Sequence, residues 1–378
     1  MNKSGHKIFL EKWIAEPLDH SVNEALERLC KTDDVRYLAV MPDIHLSHDV
    51  CIGTVMATDR YIYPQAVGRD IGCGLSAARI SNASHIFSDE LKVSKMQKLL
   101  KKIVPSLKQK SPLKALPESL IERRLSCEKL EKLKGRDGLW QFGTLGRGNH
   151  FLEFQMDEVS SDIWVTAHSG SRAMGQAIYL SHLRKSEESN TKLRFLGLNS
   201  EEGNNYLNDA GWAVDYARLN RQFVILSAIE LMKNLFGMDI YEESFLDCAH
   251  NYVTRETHFG RDYLVHRKGA IGISKGELAI IPGSMGTYSY HVEGLGCEKS
   301  LNSASHGAGR AMSRSEARNA VKIKDFKKSM TGIYFDQEKI ASLRSEAPMA
   351  YKDITSVMRA QRDLVKIIRR LKPIMNHK

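Results

Sequence analysis

The chain has 378 residues, 42% hydrophobic and 26% charged, with 55 Lys and Arg against 45 Asp and Glu for a formal net charge of +10. That length can bury a sizeable core, and that composition excludes a disordered chain. No apolar run approaches the roughly 18–20 residues that span a bilayer, and the opening MNKSGHKIFLEKWIAEPLDH lacks the apolar stretch of a signal peptide, so a soluble, cytoplasmic protein is expected.

In chain order, residues 36–58 read as short apolar strands broken by a polar loop that carries Asp43, His45, His48 and Asp49. Pro64 and a glycine-punctuated turn, AVGRDIGCGLSA at 66–77, follow. From about 88 to 137 the pattern is helical and basic, divided by Pro105, Pro112 and Pro117. Between Lys92 and Arg136 there are 14 Lys and Arg against 4 Asp and Glu, a local excess equal to the charge of the whole chain. So concentrated a positive stretch suggests a polyanionic partner, most simply nucleic acid; a solvated helical face explains the charge equally well.

Strand-like segments return at 138–170 (LWQFGTLG, NHFLEFQ, DIWVTAHSG), helical periodicity at 171–236, and hairpins at 261–290. Ile354, Val357, Met358, Leu364, Val365, Ile368 and Leu371 predict a final helix. Irregular interleaving of strands and helices predicts an α+β fold. With no repeat or linker-like break, one domain over 1–378 is expected, with a basic helical excursion at 88–137. The six cysteines include no CxxC pair, so a disulfide framework is not expected.

Chemistry concentrates in short loops that mix metal-ligand residues with glycine. Asp70-Ile71-Gly72-Cys73-Gly74 places a carboxylate and a thiol three residues apart, between glycines that permit sharp turns and close approach. Asn149, His150 and Glu153 follow loose glycines at a strand entry. Ala167-His168-Ser169-Gly170-Ser171-Arg172 ends an apolar strand with a histidine, hydroxyls and an arginine able to grip phosphate. Asp247-Cys248-Ala249-His250-Asn251 adds another histidine. Each histidine alone is more simply a core or surface residue, but together these loops supply ligands for two metal ions sharing a bridging group, zinc or manganese by donor type. Two further loops suit a nucleotide: Pro282 to Tyr290, and Ser305-His306-Gly307-Ala308-Gly309-Arg310. In the latter, His306 is a candidate nucleophile for the α-phosphorus of a triphosphate.

With these residues in place, the chain resembles the RtcB family of RNA ligases. The matching stretches are MPDIH at 41–45, AVGRDIGCG at 66–74, GTLGRGNHFLE at 143–153, AHSGSR at 167–172, CAHN at 248–251, HRKGA at 266–270, PGSMGTYSY at 282–290, HGAGRAMSR at 306–314 and EAPMAYKDI at 346–354. They occur in the family's order and run from about residue 36 to 378. The resemblance implies a GTP-dependent enzyme with two Mn²⁺ ions, joining RNA 2′,3′-cyclic-phosphate or 3′-phosphate ends to 5′-hydroxyl ends. It further implies Asp70, Cys73 and His150 as ligands of one ion, and Cys73, His168 and His250 as ligands of the other. His306 would become guanylylated. Asn149, His150, Phe151, Leu152, Glu153, His250, Asn251, Pro282, Gly283, Ser284, Met285, Ser289, His306, Gly307, Ala308, Gly309 and Lys378 would surround the guanylate.

The chain departs from the family where Ser47 and Asp49 stand at usual glycine positions and Arg69 at a small apolar one. It looks like the family's shorter branch, often found beside a release-factor-like helper protein and linked to RNA repair, and a monomer is expected. The competing reading is a metal-dependent phosphoesterase that processes RNA ends without sealing them; a metal-stabilised RNA-binding protein without turnover is a third.

Overall fold

The computed structural model describes residues 8–80, 83–107, 110–237 and 244–378. Two large sheets dominate. A five-stranded sheet runs in the order Phe9–Lys12, Val35–His45, Ile52–Thr58, Arg261–Lys268 and Asn251–His258; its first pair is parallel and the rest antiparallel. An antiparallel seven-stranded sheet runs Leu246–Ala249, Gly74–Ile80, Ile163–Ser169, Phe151–Asp157, Val365–His377, Ser289–Gly294 and Leu278–Ile281. The α+β expectation holds.

Both faces of the seven-stranded sheet are covered, which is why IWVTAHS reads as an almost unbroken apolar run. On one face Leu75, Ala77 and Trp164 pack against Tyr37, Ala39, Val55 and Val265 of the other sheet. On the opposite face Ala78, Ile80, Leu152, Phe154 and Val165 pack against Val224, Ile225 and Ala228 of the helix Glu201–Phe236 and Val93, Met96 and Leu100 of the helix Glu90–Ile103. The 36-residue helix starts at Ser200, whose hydroxyl accepts from the Gly203 amide at 3.0 Å, and stops at Gly237, whose φ of +72° suits a left-handed cap. None of the helices among the described residues is long and apolar enough to cross a membrane.

Four expectations need correction. Asp43 and His45, expected in a polar loop, lie in the strand Val35–His45, and the loop begins only after them. The final helix covers only Ile354–Ala360; residues Val365–His377 form a strand near the middle of the large sheet. The apolar residues of 354–371 fit a helical period, yet Val365, Ile367 and Ile368 are β-branched, and the segment pairs with Ser289–Gly294 over its first half and with Phe151–Asp157 from Leu371 onward. LWQFGTLG is no strand: Leu139–Gln141 is a helical turn and the glycines after it form a loop. The helical stretch at 171–236 is interrupted by the short strands Glu187–Glu188 and Arg194–Gly197.

Candidate metal and nucleotide site

Strand pairing assembles the first cluster. Leu75 pairs with His168, and His168 with Phe151, so Cys73, His168 and His150 arrive at the same end of three adjacent strands. Cys73 Sγ lies 3.4 Å from His150 Nε2 and 3.3 Å from His168 Nε2, and all three residues are buried. Asp70 Oδ2 sits 3.0 Å from His150 Nε2. Directly beneath that carboxylate is Gly170, where a Cβ would overlap the Asp70 side chain, so a larger residue there would displace the carboxylate. His168 Nδ1 meets the Asn149 carbonyl at 3.0 Å, which fixes Nδ1–H as the donor and leaves Nε2 as a lone pair aimed at the sulfur.

His250 joins through its backbone, its amide donating to the Cys73 carbonyl at 2.8 Å. Its ring centroid lies 5.2 Å from that of His168 and 4.7 Å from that of His306. Its Nδ1 is buried with no hydrogen-bond partner. Asn251 is committed to holding this corner: its amide donates to the Asp70 carbonyl at 3.0 Å and accepts from the Gly269 amide at 2.9 Å.

The electrostatics fit a cation. Burial, then neighbouring imidazoles, drive His168 and His250 well below the usual histidine range, so both offer neutral lone pairs. Burial, then the Asp70 charge, raises the Cys73 thiol well above its ordinary value. For Asp70 burial also pushes upward, but the His150 contact and Arg172 outweigh it and hold the carboxyl at about 2. A soft sulfur, imidazoles and a carboxylate in one buried cluster make a transition-metal donor set, and a bound cation would favour the thiolate. The unpartnered His250 beside it offers a donor for a second ion.

His306 follows the short strand Ser303–Ser305, and its Nδ1 is 2.6 Å from Asp43 Oδ2, which also accepts the His306 amide at 3.2 Å. Asp43 is wholly buried in the strand Val35–His45. The turn closes over it at Gly309 (φ +74°), where a Cβ would strike the Asp43 carbonyl oxygen. This partnership was missed in the sequence: MPDIH was visible as a motif, but nothing local links residue 43 to residue 306.

A cavity of about 360 Å³ contains His306, His250, Cys73, Asp70 and His168 together with two internally tied groups of residues. The first comprises Asn149, Phe151, Glu153, Pro282 to Met285, Ser289, Arg314, Glu346, Asn376 and Lys378. Gln155 Nε2 donates to Glu153 Oε1 at 2.6 Å and to Ser289 Oγ at 2.9 Å, while Asn376 donates to the Met285 carbonyl at 3.0 Å. Burial pushes Glu153 up to about 8, against the pull of Gln155 and Lys378. Lys378 Nζ lies 3.8 Å from Glu346, which also holds Arg314 at 2.8 Å and Arg310 at 3.3 Å. Glu346 and Asn376 were not singled out in the sequence. The second group comprises Ser47, His48, Asp49, Arg69, Tyr179 and Lys268. Here Arg69 lies over the Tyr179 ring at 5.8 Å and Lys268 donates to the His48 carbonyl at 3.1 Å. Asp49 adopts φ +61°, a left-handed conformation that suits glycine and that aspartate tolerates.

Gly307 and Ala308 also line the cavity. Leu152 does not: its side chain is wholly buried in the core facing the helices, leaving only its backbone near the site. Arg172, read as a phosphate grip, instead places Nη1 3.1 Å from His150 Nδ1. The basic segment is partly consumed internally, with Lys134 bonded to the carbonyls of Ile121 and Arg123, Arg123 paired with Asp215 and Lys101 with Asp336. Lys95, Lys98, Lys102, Lys110, Lys114, Arg124 and Lys129 remain exposed; Lys108 lies outside the described residues.

The sequence model of the family described as tRNA-splicing ligase RtcB matches residues 26–130 and 122–378. The chain is similar to the RNA-splicing ligase RtcB of Escherichia coli strain K12, with 34% identity covering 90% of this chain and 89% of that protein. It is 28% identical to the tRNA-splicing ligase RtcB of Methanococcus maripaludis, over 93% and 89% of the two chains, and 29% identical to the RNA-splicing ligase RtcB2 of Escherichia coli strain ATCC 25922, over 89% and 86%.

Proposed function

The chain belongs to the RtcB family, and on that premise we propose that it is an RNA ligase that uses GTP to join RNA 3′-phosphate or 2′,3′-cyclic-phosphate ends to 5′-hydroxyl ends, in RNA repair. The observation that carries this reading is His306, held by a buried carboxylate 2.6 Å from its Nδ1 and facing the cysteine–histidine cluster across one cavity. The Asp43 carboxylate beside Nδ1 favours the proton on that nitrogen, which makes the Nε2 lone pair the attacking one. Attack on the α-phosphorus of GTP forms an N–P bond and releases pyrophosphate. An oxygen of the RNA 3′-phosphate then displaces His306 to give RNA(3′)pp(5′)G, and the 5′-hydroxyl displaces GMP as the phosphodiester forms. A cyclic phosphate is first opened by water to a 3′-phosphate.

Asp70, Cys73, His150, His168 and His250 are the residues that would hold two Mn²⁺ ions, whose chemistry is to neutralise phosphate charge and align the displacement. The first group of lining residues suits the guanylate: Glu153 is a buried carboxyl able to hydrogen-bond a base edge, and Arg314 and Lys378 bring positive charge. The second group, with Arg69 and Lys268, is then left to the RNA end, and the exposed cations of 95–129 suit its backbone in a salt-sensitive contact. Incubation with GTP and Mn²⁺ followed by intact-mass spectrometry tests the reading. A covalent guanylate is expected on the wild type and none on His306→Ala. A wild-type protein that binds metal and nucleotide, forms no adduct and still hydrolyses cyclic phosphates would establish the phosphoesterase instead.

A further inference from the structure

The four segments that carry Cys73, His150, His168 and His250 are far apart in sequence, yet two adjacent residues of one helix touch all of their supports. Arg221 and Asn220 lie in Glu201–Phe236 and are wholly buried. The Arg221 guanidinium donates from Nη1 to the Gly72 carbonyl at 2.8 Å, the peptide oxygen just before Cys73. The same nitrogen donates to the Ser169 carbonyl at 3.0 Å, just after His168. Nε and Nη2 grip the two oxygens of Asp247 at 2.9 and 3.0 Å, on the strand that delivers His250. Nε also reaches Ser76 Oγ at 3.2 Å, and that hydroxyl donates to Asp247.

Asn220 serves the fourth segment. Its Oδ1 accepts from the Gly143 amide at 2.7 Å, and its Nδ2 donates to the Thr144 carbonyl and to Ser169 Oγ, both at 3.1 Å. The loop so held runs directly into Asn149 and His150.

We infer that Arg221, seconded by Asn220, is a positioning residue of the metal centre: one planar guanidinium sets the spacing of the segments that carry Cys73, His168 and His250. The inference rests on the metal reading given above. A fixed fork of donors suits this task, because two carbonyls and a carboxylate from three segments meet it in set directions. A lysine keeps the charge but offers one nitrogen, which cannot reach all three partners at once. A general stabilising role makes a different prediction, since a buried ion pair replaced by apolar residues of similar size often leaves stability intact.

The test uses Co²⁺ as the probe, because a cobalt–thiolate bond has its own charge-transfer absorption. Full-length wild type, Arg221→Lys and the double variant Arg221→Met/Asp247→Leu are titrated with Co²⁺, with thermal denaturation run alongside. The expected result is folded variants that bind Co²⁺ about 10–100-fold more weakly, as removal of outer support around metal ligands typically does, with the thiolate band weakened or shifted. Wild-type affinity and an unchanged band in a folded double variant overturn the inference. If neither variant folds, Asp247→Asn, which keeps the shape and loses the charge, takes their place: weakened binding supports the inference and unchanged binding overturns it. Wild-type protein that binds no Co²⁺ at all overturns the metal reading and this inference together.

Discussion

The two faces of the strand Phe151–Asp157 use the same backbone for opposite purposes. Leu152 and Phe154 point towards the helices and are wholly buried among apolar neighbours. Glu153 and Gln155 alternate with them and point the other way, where the carboxyl is buried beside the Gln155 amide and pushed up to about 8. One face gains stability from burying apolar area; the other spends some of it to keep polar groups dry and oriented. Residues one step apart in sequence therefore answer to different requirements, and substitution should separate them.

Cys73→Ala gives the largest expected effect. Removal of the ligand at the centre of the cluster should abolish guanylylation and every later step while the fold survives, because the site lies at the strand ends outside the apolar core. Mn²⁺-dependent adduct formation at the wild-type rate in this variant would rule out a bridging thiolate. Phe154→Ala should act in the opposite sense, costing about 3–5 kcal/mol of stability through the cavity it leaves. Its adduct yield per folded molecule should stay near wild type; a loss of yield beyond the loss of folded protein would break the division between the faces.

A smaller, pH-dependent effect is expected at Glu153. Its folded pKa of about 8 lies above the unfolded value near 4.3, so the folded state retains a proton that the unfolded chain has released. Stability is therefore full below about pH 4 and falls as the pH rises towards 8. Glu153→Gln should be more stable than wild type at pH 8, on the order of 4–5 kcal/mol, and close to it at pH 4.5. Urea midpoints at the two pH values measure this, and an equal difference at both would mean that the carboxyl is not held protonated.

The candidate metal donors are legible because glycine, cysteine and histidine crowd into loops whose local composition is unlike core or surface. Asp70 and Cys73 stand out together in one glycine-flanked loop, while their grouping with His150 comes from the family resemblance. Asp43 and Arg221 do not stand out, since their significance lies in contacts with His306 and with three distant segments, and an arginine in mid-helix carries no local mark. The strand Val365–His377 was misread because its apolar residues fit a helical period, while irregular pairing near His291 and Pro373 blurs the alternation of a strand. Only its partners settle the matter.

That strand has a consequence for how the protein is made. It lies between Phe151–Asp157 and Ser289–Gly294, so until residues 365–377 leave the ribosome the large sheet exists as two pieces, each with an unpaired inner edge. The pairing that joins them spans more than 200 residues of chain, a slow kind of closure. During synthesis the nascent chain therefore carries two open strand edges, the feature most apt to pair with a neighbouring copy. The step that completes the sheet also brings Asn376 and Lys378 to the cavity, so a chain stalled before it has neither a closed sheet nor a finished site.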